Sequence, residues 1–157
     1  MIKRPGLLLR CIAIPLLVGT FSAFLTQNSM ADFAMLQKPP LAPPGIVFPT
    51  VWTILYVLMG IASYLVLTSD ARQDDIDRAI TVYGGQLILN FFWSIIFFRL
   101  EWYLAAFFWL VLLWAAIFYT ILQSRKVSPA AAWLLAPYLL WVTFAGYLNL
   151  SIYFLNA

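Results

Sequence analysis

Five apolar runs, each close to the roughly 20 residues that a helix needs to cross a bilayer, divide the chain at about residues 7–26, 46–67, 79–98, 102–122 and 130–155. The pattern predicts five spanning helices. The breaks between them are chemically explicit. Residues 27–45 are polar and then proline-rich (Lys38-Pro39-Pro40-Leu41-Ala42-Pro43-Pro44-Gly45), which cannot continue a helix and reads as a long, stiffened, lid-like connection. The segment from Asp70 to Arg78 holds four aspartates and two arginines and reads as a loop; Arg99 to Glu101 reads as a tight hairpin and Gln123 to Pro129 as a short basic turn. The first run follows Lys3 and Arg4, as in a secretory signal, but it is longer than the apolar segment of such signals and is taken as a retained helix. The fold expected is an all-α integral membrane protein, with residues 1–157 as a single five-helix transmembrane domain.

Three of the predicted helices carry a second periodicity. Pro49, Trp52, Tyr56, Gly60 and Ser63 recur at spacings of three or four, and so do Tyr83, Gln86, Asn90, Trp93 and Ser94, and then Tyr138, Trp141, Ala145 and Asn149. Such spacing places each set on one helical face. A carboxamide in hydrocarbon costs several kcal/mol when unpaired, so Gln86 and Asn90 must face protein or a cavity. Two readings compete. In one the stripes are interhelical glue; in the other they wall a small-molecule pocket with indole and phenol rings and a few fixed donors. Trp52 and Trp141 favour the pocket, because an indole is bulky and its N–H wants a partner. Trp102, Tyr103 and Trp133, at helix ends, read as interfacial-belt residues.

Composition settles the solvent. Hydrophobic residues make up 64% of the 157 and charged ones 10%, against about 45–50% and about 25% in soluble domains. With a mean hydropathy of +0.92, most of the chain must face lipid or other helices. If the N-terminus is cytoplasmic, seven of the nine basic residues fall on that side, leaving Lys38 and Arg99 opposite. This predicts a cytoplasmic N-terminus, with the C-terminus and the 27–45 connection across the membrane. The net charge of +3 forms no basic stripe interleaved with aromatics, so nucleic acid is not expected as a partner. Histidine is absent and Cys11 is the single cysteine, which excludes an internal disulfide, zinc sites and Ser-His-Asp hydrolysis. No acid, base or nucleophile constellation lies within the spans, so conventional catalysis is not expected. The spans are almost free of ionisable groups, which also disfavours an ion path.

Several short motifs, in order, resemble one known family. They are Leu36-Gln37-Lys38-Pro39 followed by Pro43-Pro44-Gly45; Val51-Trp52-Thr53; Gln86-Leu87-x-Leu89-Asn90-x-x-Trp93; Phe97-Phe98-Arg99; and Pro137-Tyr138-Leu139-x-Trp141 with Phe144-Ala145 and Leu148-Asn149. Together they resemble the translocator protein family, also called tryptophan-rich sensory protein (TspO/MBR) or peripheral-type benzodiazepine receptor, over residues 33–150 or so. The resemblance implies a five-helix bundle, usually a homodimer, with a pocket closed over by the connection between the first two spans. It implies porphyrin or haem as ligand, sterols in some members, and synthetic isoquinoline and benzodiazepine compounds.

By that resemblance Trp52 and Trp141 match two pocket tryptophans linked to porphyrin binding and to its light- and oxygen-dependent breakdown. Tyr56, Asn90, Trp93, Tyr138 and Ala145 match further pocket positions, and Lys38, Pro39, Leu41, Pro43 and Pro44 fall in the lid. Leu41 stands where the family's lid usually carries tryptophan. After Tyr153 no Lys or Arg completes the sterol-recognition pattern of the animal members. A porphyrin is flat, π-rich and edged with carboxylates, so indole faces suit its rings, and Lys38 is a candidate partner for a propionate. The expected function is binding of tetrapyrroles and related hydrophobic ligands for sensing, trafficking or disposal, with no cofactor or metal required. Porphyrin degradation through Trp52 and Trp141 is the alternative, and transport of small hydrophobic molecules a third. Gly84 and Gly85 mark the third span as the expected dimer contact.

Overall fold

The computed structural model describes residues 3–157. Helix α1 (Pro5–Thr26) passes through a 3-10 turn (Gln27–Ser29) into the short α2 (Met30–Ala34); α3 covers Val47–Leu67 and α4 Gln73–Ser94, α4 ending in a π turn (Ile95–Arg99). Helices α5 (Tyr103–Val127) and α6 (Pro129–Leu155) complete the chain. Among the described residues, five helical segments are long and apolar enough to span a bilayer, the first running from α1 through α2.

Two element boundaries depart from the sequence expectation, both where charged residues read as a loop. Helix α4 starts at Gln73 rather than near 79, with Asp74 and Asp75 in its first turn. Carboxylates there complement the unpaired N–H groups and the positive end of the helix dipole. Ile76 and Ala79 on this added length are buried in the bundle. Helix α5 runs to Val127 rather than 122, with Arg125 and Lys126 in its last turn, at the negative end of the dipole. Ser128 then caps α6, its side chain accepting from the Ala131 N–H at 3.3 Å, and Pro129 occupies the first turn. The 27–45 connection is also less irregular than proline content suggests, since the 3-10 turn and α2 precede the proline run.

The helices pack in a circuit, α1 on α3, α3 on α6, α6 on α5, α5 on α4, and α4 back on α1. Helices α1 and α3 approach closely at two glycines. A Cβ on Gly60 would run into the backbone of Cys11 and Ile12, and one on Gly19 into the Tyr56 ring. Only glycine lets the two backbones meet this way. The N-terminus of α1 lies by the C-terminal end of α3, where the Arg4 N–H donates to the Tyr64 hydroxyl at 3.2 Å. This basic end of the bundle carries Lys3, Arg4, Arg10, Arg72, Arg78, Arg125 and Lys126. The opposite, lid end is covered by the 27–45 connection. There the α4–α5 hairpin turns at Glu101, whose φ of 56° puts a non-glycine residue in the left-handed region.

Candidate ligand-binding site

The inward stripes of α3, α4 and α6 meet in two layers. The deeper layer is polar and closed. The Tyr56 hydroxyl donates to Asn90 Oδ1 at 3.0 Å, Asn90 Nδ2 donates to the Tyr138 hydroxyl at 2.7 Å, and that hydroxyl donates to Gln86 Oε1 at 2.7 Å. Asn90, Gln86 and Tyr138 are each 1% exposed. Every oxygen in this relay has a partner, as burial in an apolar medium requires. These polar atoms act on one another and form a floor.

One helical turn toward the lid end the layer is aromatic. Six rings form a closed circuit. Phe33 of α2 meets Phe97 of the π turn at a centroid distance of 6.0 Å, Phe97 stacks on Trp93 at 5.2 Å, and Trp93 meets Trp52 at 6.5 Å. Trp52 meets Trp141 at 6.4 Å, Trp141 meets Phe48 at 6.0 Å, and Phe48 returns to Phe33 at 6.1 Å. Below the circuit Trp52 stacks on Tyr56 at 5.6 Å and meets Tyr138 edge-on at 6.2 Å, which joins the two layers. All these spacings lie in the range where aromatic pairs attract. Trp93 is anchored, its indole N–H donating to Asn149 Oδ1 at 3.1 Å, while Asn149 Nδ2 donates to the Tyr103 carbonyl at 2.7 Å. Trp141 is not. Its buried N–H has no hydrogen-bond partner among the described residues.

The structure therefore brings Trp52, Tyr56, Asn90, Trp93, Tyr138 and Trp141 together, with Ala145 buried one turn from Trp141 on the lid side of α6. The lid residues divide. Pro39 is buried and Lys38, Pro43 half-buried, but Pro44 is exposed and Leu41 is 69% exposed, away from the rings. Lys38 is turned onto its own segment, Nζ donating to the carbonyls of Ala34 and Leu36 and standing 4.8 Å from the centre of the Phe33 ring. Phe33 and Phe48 are members of the ring circuit that periodicity could not find. They flank the proline run, and the available signal was an aromatic side chain on each side of a polar connection. Trp102 and Trp133 are 60% and 78% exposed, in keeping with positions outside the site.

Residues 11–155 match the TspO/MBR family. The chain belongs to that family. Among its relatives, the tryptophan-rich protein TspO of Chlorobaculum tepidum is 40% identical over 147 residues, covering 93% of both chains. TspO of Archaeoglobus fulgidus is 38% identical over 96% of this chain and 97% of its own. The translocator protein of Homo sapiens is 37% identical over 84% of this chain and 79% of its own. Family and helices together make this TspO/MBR member an integral, multi-pass membrane protein.

Proposed function

We propose that this protein binds tetrapyrroles and related flat hydrophobic molecules within the membrane, for their sensing, trafficking or disposal. The observation that carries the reading is the six-ring circuit with one unpaired, buried indole N–H above a fully hydrogen-bonded floor. Trp52 and Trp141 lie at 89° to each other, so a flat ligand that stacks on one meets the edge of the other. An acceptor on that ligand, such as a carboxylate or carbonyl, satisfies Trp141. The relatives named for sensing and translocation support the coarser part of this reading.

Titration of the purified full chain with protoporphyrin IX, followed by absorbance and tryptophan quenching, is expected to saturate. A signal that rises linearly without saturation overturns the proposal. The same titration under illumination separates binding from breakdown: loss of the porphyrin spectrum with wild type, but not with Trp52→Phe or Trp141→Phe, selects the degradation alternative.

Two further features belong to this reading. The basic end is assigned to the cytoplasm, so a cysteine replacing Gln37 in a Cys11→Ser background should react with an impermeant thiol reagent on intact cells, and labelling only after lysis refutes the orientation. A homodimer through α4 is supported by Gly84 and Gly85, where an added Cβ would meet nothing within 4 Å. An unchanged oligomer size in both Gly84→Leu and Gly85→Leu, in detergent and in lipid, rules out that interface.

A further inference from the structure

Of the six rings in the circuit, Phe33 is the one carried by the short α2 at the start of the connection, the other five standing on α3, α4 with its π turn, and α6. The segment from Phe33 to Lys38 behaves as a unit. The Leu36 N–H donates to the Phe33 carbonyl at 3.2 Å, and Lys38 spans back to the Ala34 carbonyl and the Phe33 ring. Beyond the packing of Phe33 and Leu36 on the core, a side chain far away in sequence fastens this unit to the bundle. The carboxamide of Asn156 accepts from the Gln37 N–H at 3.0 Å and donates to the Gln37 carbonyl at 2.9 Å, across 119 residues.

We propose that Asn156 is a positioning residue that latches the connection shut, and that its two bonds to Gln37 set the rate at which ligand enters and leaves the ring circuit. Asn156 suits the task because its orientation is fixed from below. It caps α6, its backbone N–H donating to the Ile152 carbonyl at 3.1 Å and its Nδ2 to the same carbonyl at 2.9 Å. A carboxamide presents a donor and an acceptor side by side, matching the N–H and C=O of one backbone residue. Aspartate keeps the acceptor and loses the donor; alanine loses both. The clasp lies at the exposed rim, so its two bonds are weak enough to break repeatedly.

This inference rests on the ligand-binding reading, and its test has one arm that needs no ligand. In the full chain in lipid nanodiscs, hydrogen exchange of the Gln37 amide is expected to be slowed in wild type and to speed up in Asn156→Ala, with Asn156→Asp between them. In parallel, protoporphyrin IX preloaded on each variant is transferred to excess serum albumin. Release is expected to quicken about tenfold in Asn156→Ala, as for the loss of two modest hydrogen bonds. Loading should quicken as well, so the affinity changes less than either rate. A Gln37 amide that exchanges equally fast in wild type and Asn156→Ala overturns the latch. So does equal porphyrin release from the two. Altered exchange at Gln37, in a chain that shows no saturable porphyrin binding, keeps the latch and removes the ligand reading instead.

Discussion

The two ends of the bundle interior are built from different contacts, and they come apart in different ways. Toward the lid, α3, α4 and α6 meet through rings that are mostly tilted or edge-on, with Trp52 and Trp141 only half-buried and one N–H unpaired. Toward the basic end the same helices, joined by α5, meet through Ala62, Val66, Ala79, Ile117 and Leu135, each no more than 3% exposed. A crevice between Ala62, Ser63, Val66, Tyr83, Ser124 and Leu135 is too narrow to hold a water molecule, and beside it the buried Tyr83 hydroxyl has no partner among the described residues. Rings on two rotatable bonds can swing aside and regain their contacts on a flat guest. Interlocked aliphatic side chains cannot, because dispersion contacts at close packing have no substitute once parted. In lipid no hydrophobic drive holds helices together, so close packing and satisfied hydrogen bonds must supply the scaffold. Here the satisfied hydrogen bonds lie in the Tyr56–Asn90–Tyr138–Gln86 floor and the closely packed aliphatic side chains below it.

The largest effect expected from this contrast is at Gly60, below the floor. Gly60→Leu forces α1 off α3 and should cost about 3 kcal/mol or more, read as loss of a monodisperse, cooperatively melting species in detergent. Wild-type melting in that variant would mean that the α1–α3 contact is not part of the scaffold. Next is the floor itself. Tyr138→Phe leaves Gln86 Oε1 and Asn90 Nδ2 without their partner and should lower stability by about 2 kcal/mol, while porphyrin affinity changes by less than about threefold. A larger loss of affinity than of stability would move Tyr138 from floor to wall.

Above the floor the order reverses. Trp52→Phe and Trp141→Phe should each weaken protoporphyrin binding about tenfold with little change in melting, and the double variant should depart from the sum of the singles. Val66→Ala is the mirror experiment, expected to cost about 1–2 kcal/mol of stability and leave affinity intact. If all three variants shift melting and affinity in the same proportion, the interior is one cooperative unit and the division fails. The smallest effect belongs to Leu41→Trp, which restores the family's usual lid residue. Leu41 points outward and Phe33 already supplies a ring, so stability should stay within about 0.5 kcal/mol and affinity within about twofold. A tenfold tightening would place residue 41 against the ligand.

Much of this arrangement was legible in the chain because bilayers impose a simple rule. Five runs of about 20 apolar residues had to become helices, since a segment of that length with no alternation of polarity can satisfy its own backbone in lipid only as a helix. The period-3.6 stripes carrying Trp52, Tyr56, Asn90, Trp93, Tyr138 and Trp141 followed from the same logic, as the polar groups must turn away from hydrocarbon and the rings spaced three or four residues from them share that face. Charge misled at Gln73 and Val127, where acidic and basic residues serve the helix dipole at the membrane edge rather than ending the helix. Composition carries no information about which of those two uses a charge will find.

The sequence by itself therefore determined the solvent, the number of spans, the family and the faces turned inward. The tertiary structure alone decided how those faces divide their work. The Asn90 and Gln86 amides became a closed floor rather than free donors because two tyrosines from other helices reached them first. Phe33, Phe48 and Phe97 joined the ring circuit, and Asn156 bonded to Gln37, through contacts between residues up to 119 positions apart. No local pattern encodes such pairs. Periodicity fixes where a side chain points on its own helix, and only the packing of helices against one another fixes what it meets.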